Sequence, residues 1–145
     1  MNNSKKIERI LVPIAGVEAD KVALRLACDT ARSNKAQVFV IHVMEVKRSL
    51  PIDAEIGSQA DRGEEILEEA EEIGRQAKMP IESELLQSRQ EGPAIVDEAV
   101  ERAVDTIIFG LPYQRKYGEF SVSDAATYVL KNAPCEVWLC REGIA

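Results

Sequence analysis

Short apolar runs alternate along the chain with longer stretches in which apolar positions recur every three or four residues. The first run, Ile10-Leu-Val-Pro-Ile14, follows a polar lead-in and reads as a buried strand. After a loop at 15–19, Asp20 is placed to cap a helix whose stripe is Val22, Ala23, Leu26, Ala27 and Thr30, ended by Asn34 and Lys35. Residues 37–44 are apolar almost throughout, the pattern of a strand buried on both faces. A loop with Pro51 and Gly57 leads into a long helix over about 58–78. Its stripe is Ile66, Ala70, Ile73 and Ala77, and acids at 64, 65, 68, 69, 71 and 72 fill the other faces.

A third strand at 81–87 follows Pro80. Gly92-Pro93 opens a helix with Ile95, Val96, Ala99, Val100 and Ala103 inward, Pro being well tolerated at a first helical position. The fourth strand, Thr106-Ile-Ile-Phe-Gly110, stops at a glycine. A polar loop at 111–122, a short helix over about 123–131 and a last strand at 136–141 complete the pattern. Strands alternating with helices of this length imply a parallel sheet covered on both faces by right-handed crossovers. With no internal repeat and no linker, residues 1–145 read as a single α/β domain.

Composition narrows the function. The chain is 46% hydrophobic and 30% charged, as expected of an ordinary globular protein. Its 25 acids outnumber 18 Lys and Arg, giving a net charge of −7, which argues against nucleic acid and anionic membranes as general partners. No run approaches the roughly 20 apolar residues of a membrane span, so direct membrane insertion is not expected. The positive lead-in is broken by Glu8 and Arg9, so it does not read as a secretory signal. Three scattered cysteines, Cys28, Cys135 and Cys140, fit a reducing cytoplasm better than a disulfide framework.

Open parallel sheets bind ligands beyond the carboxyl ends of the strands, where strand order reverses. If the first strand is central, that point lies between the first and fourth strands, lined by Ala15-Gly16-Val17 and by the loop from Gly110 to Ser123. A phosphate cradle there needs glycines that let amides close on the anion. The loop instead holds Gly110 and Gly118 only, with Pro112, Tyr113, Arg115, Lys116, Tyr117 and Phe120 between or beside them.

The segment Asp105-Thr-Ile-Ile-Phe-Gly110, its polar loop, and Tyr128-Val-Leu-Lys-Asn-Ala-Pro-Cys-Glu-Val137 resemble the closing part of the universal stress protein family. Ile10-Leu-Val-Pro-Ile-Ala-Gly16, Val40-Ile-His-Val43 and Gly92-Pro-Ala-Ile95 match the same family in order and spacing, so the resemblance spans essentially the whole chain. It implies a five-stranded parallel sheet of order 3-2-1-4-5 and a homodimer built around the last strand. It also implies, in nucleotide-binding members, Gly-x-x-Gly, nine residues, then Gly-Ser or Gly-Thr, with an acid after the first strand that contacts adenine. Carried onto this chain, Gly110 keeps the first glycine, Tyr113 replaces the second, Ser123 the third, Asp124 the hydroxyl residue and Ala15 the acid. The nine-residue spacing survives and four of five positions depart.

A carboxylate about 4 Å from a phosphate charge repels it by up to roughly 4 kcal/mol near a protein surface. Ser123 is also a natural N-cap and Asp124 a first-turn acid, so both can satisfy the fourth helix from within. Arg115 and Lys116 are the residues that could still meet an anion. Two readings follow. In one, a cytoplasmic universal-stress-type domain needs no cofactor and acts by dimerisation through Val137, Trp138 and Leu139 and by binding a protein such as a membrane transporter. In the other, the altered loop binds ATP as a switch or slow ATPase, using Gly110, Arg115, Lys116 and Ser123.

The remaining chemistry-bearing residues read as structural. His42, the only histidine, is expected to be satisfied by hydrogen bonds near the sheet, and no zinc spacing occurs. Cys135 and Cys140 are expected on opposite faces as packing residues. Tyr113 and Tyr117 could stack on an aromatic ligand. Trp138 either joins a dimer edge or packs under the fourth helix.

Overall fold

An unbroken run of Val, Ile and Phe leaves neither side of a strand fit for water, so such runs belong at the middle of a covered sheet. The computed structural model describes residues 6–54, 57–113, 115, 116 and 119–143, without the side chains at 115, 116, 119 and 120. In it β1 (Arg9–Pro13), β2 (Gln37–Glu45), β3 (Ile81–Ser88), β4 (Thr106–Leu111) and β7 (Glu136–Arg141) form one parallel sheet in the order β3-β2-β1-β4-β7. This is the expected 3-2-1-4-5 arrangement with β7 as fifth strand. Two short strands, β5 (Arg115–Lys116) and β6 (Glu119–Phe120), pair as an antiparallel ribbon inside the stretch read as a plain loop.

The helices α1 (Ala19–Asn34) and α2 (Gly57–Gln76) cover one face of the sheet; α3 (Glu91–Glu101) and α4 (Asp124–Asn132) cover the other. On α1 the buried stripe is Ala23, Leu24, Ala27, Cys28 and Ala31, while Val22 and Leu26 stay exposed. The expected stripe is therefore turned by about one residue. Three alanines four apart let the helix backbone lie close to the sheet, and Leu24 and Cys28 fill the space beside them. On α3 the core takes Gly92, Ile95 and Ala99, while Val100 is exposed and Ala103 lies beyond the helix at φ 52°. The α2 stripe holds at Ile66 and Ala70, with Leu67, Gly63 and Gly74 also buried and Ile73 and Ala77 at its margin.

Strand alternation sends Cys140 to the α1–α2 face and Cys135 to the α3–α4 face, as packing residues. Trp138 lies on the α1–α2 face, so it does not pack under α4; its Nε1 donates to Glu136 at 2.7 Å. Val137 packs on the opposite face. At the amino end of the sheet Asp105 accepts the amides of Glu8 and Arg9 at 2.7 and 2.9 Å, tying β1 to the start of β4.

Candidate functional site

Strand order reverses between β1 and β4, so the loops leaving these strands face each other at the carboxyl end of the sheet. In the loop after β1, Gly16 has a φ of 91°, a left-handed conformation that glycine adopts without strain. That turn directs three consecutive amides inward. Ala15, Gly16 and Val17 donate to one oxygen, Oδ2 of Asp20, at 3.1, 2.7 and 2.9 Å. Successive amides in such a turn make an anion-binding concavity, and here the anion is the chain's own carboxylate. Asp20 therefore closes the loop and does not cap α1, whose N-cap is Glu18 with no side-chain bond. Burial raises the Asp20 carboxyl above its ordinary range, against the pull of the three amides and of His42.

Gly110 sits under the start of α1. A methyl group there would stand 2.3 Å from the carbonyl oxygen of Ala19, so close packing of helix on strand already requires glycine. Beyond β4, the Tyr113 amide donates to Glu142 at 3.0 Å, and the Arg141 guanidinium lies 5.0 Å from its ring centroid. Ser123 adopts an extended backbone and caps α4, its hydroxyl accepting the Ala126 amide at 3.2 Å. Asp124 follows as an exposed acid in the first turn. Arg115 and Lys116 fall on β5, their side chains outside the described residues, as are Tyr117 and Gly118 altogether.

The fold adds two acids that sequence spacing does not associate with this loop. The Glu91 amide donates to the Glu45 carboxylate at 2.9 Å, joining the end of β2 to the start of α3. Burial raises the Glu91 carboxyl, and Glu45 and Asp20 raise it further. Glu45, Glu91, Ser123, Asp124 and Tyr128 line one crevice of about 350 Å³ between the starts of α3 and α4. A phosphate placed there would face three carboxylates, each worth up to roughly 4 kcal/mol of repulsion at about 4 Å.

On the other side of Glu45 a larger crevice, about 710 Å³, runs from Ala15 and His42 to the first turns of α2. His42 Nδ1 donates to the Ile14 carbonyl at 2.8 Å, the hydrogen bond expected of a structural histidine. Among the described residues no group of three or more His, Cys, Asp or Glu is placed to hold a metal ion. No described helix is long and apolar enough to cross a membrane.

The sequence model of the universal stress protein family matches residues 6–141. Universal stress protein MJ0531 of Methanocaldococcus jannaschii is 22% identical over 97% of this chain and 86% of its own length. A universal stress protein of Archaeoglobus fulgidus superposes with a TM-score of 0.78 at 24% identity, over 91% of this chain and 97% of that one. A structure of the universal stress protein from Archaeoglobus fulgidus in complex with dAMP gives 0.73 at 22%, over 93% and 98%.

Proposed function

The chain belongs to the universal stress protein family, and we propose that it works as a dimeric docking domain of the cytoplasm, with no nucleotide phosphate held in its β4–α4 loop. The observation that carries this reading is the occupation of the loop from within. Asp20 takes the amides after β1, Ser123 caps α4, and Glu45, Glu91 and Asp124 line the crevice between them. Self-association is assigned to β7, an edge strand of the sheet, which needs covering or pairing. Val137, Trp138 and half-exposed Leu139 flank that edge on its two faces. A membrane transporter is a candidate partner class by analogy with domains of this fold attached to carriers.

A second reading, an ATP-binding switch or slow ATPase built on Gly110, Arg115, Lys116 and Ser123, draws on the relative solved with dAMP. Sedimentation and ATP-Mg calorimetry separate the two. The docking reading expects a dimer that Leu139→Asp or Val137→Asp converts to monomer, and no saturable heat that depends on the β4–α4 loop. A dimer surviving both substitutions removes the β7 interface. Saturable heat lost in an Arg115→Ala/Lys116→Ala protein replaces docking by the nucleotide switch.

A further inference from the structure

We propose that the loop leaving β2, residues 46–54, docks against another protein, one that offers an apolar groove with carboxylates at its rim. The inference rests on the docking reading and deepens it. There β7 meets the second copy of the chain; this loop meets the different partner.

Preorganisation is the first argument. The loop has no helix or strand of its own, yet two successive turns close it. The Leu50 amide donates to the Lys47 carbonyl at 2.9 Å, and the Ala54 amide to the Pro51 carbonyl at 3.0 Å. Side chains from the end of β3 pin it further. Arg89 donates to the Lys47 and Leu50 carbonyls at 2.6 and 2.7 Å, and Gln87 to the Ala54 carbonyl at 2.9 Å. Arg89 and Gln87 are positioning residues. A segment tied at this many points loses little freedom on binding, which is how rigid loops gain affinity.

What the loop presents is the second. Leu50 and Ile52 are 40% and 46% exposed, with Pro51 exposed between them. Single apolar side chains scattered over a surface are ordinary. Two within three residues, around a proline, on a loop held by another element, make a compact apolar knob. The pins all end on backbone carbonyls, so they fix the loop and leave both side chains to solvent.

Charge selects the occupant. The chain carries a net −7, but Asp53 is the only acid among residues 46–54, and Lys47 and Arg48 stand exposed beside the knob. Among the described residues neither cation makes an ion pair. An anionic lipid surface would set a plane of charge against the whole negative molecule. A groove needs only a few carboxylates within a Debye length, about 8 Å, of Lys47 and Arg48. The acid-rich α2 of a second copy buries Ile66, Leu67 and Ala70 in its own core, and so gives Leu50 and Ile52 no apolar seat.

The test starts with a photoactivatable benzophenone amino acid in place of Ser49 or Asp53 of the full chain, irradiated in cells. It should link a protein that the same probe at exposed Gln76, near the far end of α2, does not. That protein is then purified and titrated against the chain. Leu50→Ser/Ile52→Ser should weaken binding by about tenfold or more, and so should Lys47→Glu/Arg48→Glu. The loss from charge reversal should shrink at about 1 M salt. Arg89→Ala leaves both apolar side chains in place and should still weaken binding, while hydrogen exchange at the Leu50 and Ala54 amides quickens. Circular dichroism establishes that each variant is folded. Binding unchanged in both double variants, or a protein linked only from Gln76, overturns the proposal and leaves the docking reading to another surface. No linked protein from any of the three positions overturns the proposal and the docking reading together. Flotation on vesicles of equal parts phosphatidylcholine and phosphatidylserine, if lost in Leu50→Ser/Ile52→Ser, gives the loop to a membrane and overturns the proposal. Dissociation of the dimer by that variant gives it to a second copy and does the same.

Discussion

The carboxylate of Asp20 accepts the amide of Gly16 at 2.7 Å, across a turn only four residues long. The same oxygen holds the amides on either side, so one buried acid organises the whole exit from β1. Asp20→Ala removes the acceptor and leaves three amides to water. Loss of a charged hydrogen-bonding group of this kind should cost about 1.5–3 kcal/mol, read as a lower urea midpoint at unchanged slope. Asp20→Asn keeps an acceptor oxygen and should lose less. Equal stability of wild type and the alanine variant would mean that the loop holds its shape through Gly16 alone.

The pH dependence of stability follows from Asp20 and Glu91. Burial raises both carboxyls above their ordinary values of 3.8 and 4.5. In the folded chain each keeps its proton to higher pH than in the unfolded chain, so the folded state binds more protons between the ordinary and the raised value. Stability then falls as pH rises through that window and levels off above it. Asp20→Asn combined with Glu91→Gln should flatten this slope. Urea midpoints across the mildly acidic range measure it, and an unchanged slope in the double variant would assign the effect to other acids.

The sheet was legible in the sequence because its strands are apolar runs with no competing reading. Val38 to Met44 cannot sit anywhere but a sheet interior, and Pro80 marks an end that periodicity alone would blur, whereas β4 runs past the expected stop at Gly110 to Leu111, which pairs with Arg141. The face of α1 was less legible. Apolar residues at 22, 23, 24, 26, 27 and 28 allow two overlapping stripes, and only the depth of the sheet contact selects the one with three alanines. Asp20 satisfied the rule for a helix cap, yet the left-handed turn at Gly16 offered it three amides in place of one. Glu45 and Glu91 are 46 residues apart, and only the crossover through β3 brings them together. The cations of the larger crevice escaped notice for the same reason: Lys47, Arg62 and Arg89 leave three different elements.

The resemblance puts Gly110 at the first position of the family's phosphate motif, but its neighbours explain the glycine without a phosphate. A methyl group would meet backbone, at 2.3 Å from the Ala19 oxygen and 2.7 Å from its carbon, and backbone cannot rotate away. Gly110→Ala should destabilise the fold by about 1–3 kcal/mol or more. Gly57→Ala, with nothing within 4 Å, should stay within about 0.5 kcal/mol. Denaturant midpoints of the two variants, with no nucleotide present, are the measurement. A neutral Gly110→Ala would return the glycine to ligand binding.

Arg102 gathers the acids of the β3 edge. Its Nε donates to Glu98 at 2.8 Å, Nη2 bonds Glu84, Glu82 lies 3.9 Å away, and the guanidinium stands 5.0 Å from the centroid of Phe39. Burial opposes the cation, and the three glutamates outweigh it, so the guanidinium holds its proton above the ordinary range. Arg102→Ala would leave three carboxylates facing one another beside an uncovered ring, at a cost of about 1.5–3 kcal/mol. Arg102→Lys keeps the charge but loses the planar fork that serves Glu98 and Glu84 together, so it should restore only part of the loss. The repulsive share is screened by salt and the packing share is not. Urea midpoints at about 0.05 and 1 M salt should therefore show the alanine penalty shrinking without vanishing. A penalty independent of salt would make the role of Arg102 one of packing on Phe39, with its glutamates no more than solvated neighbours.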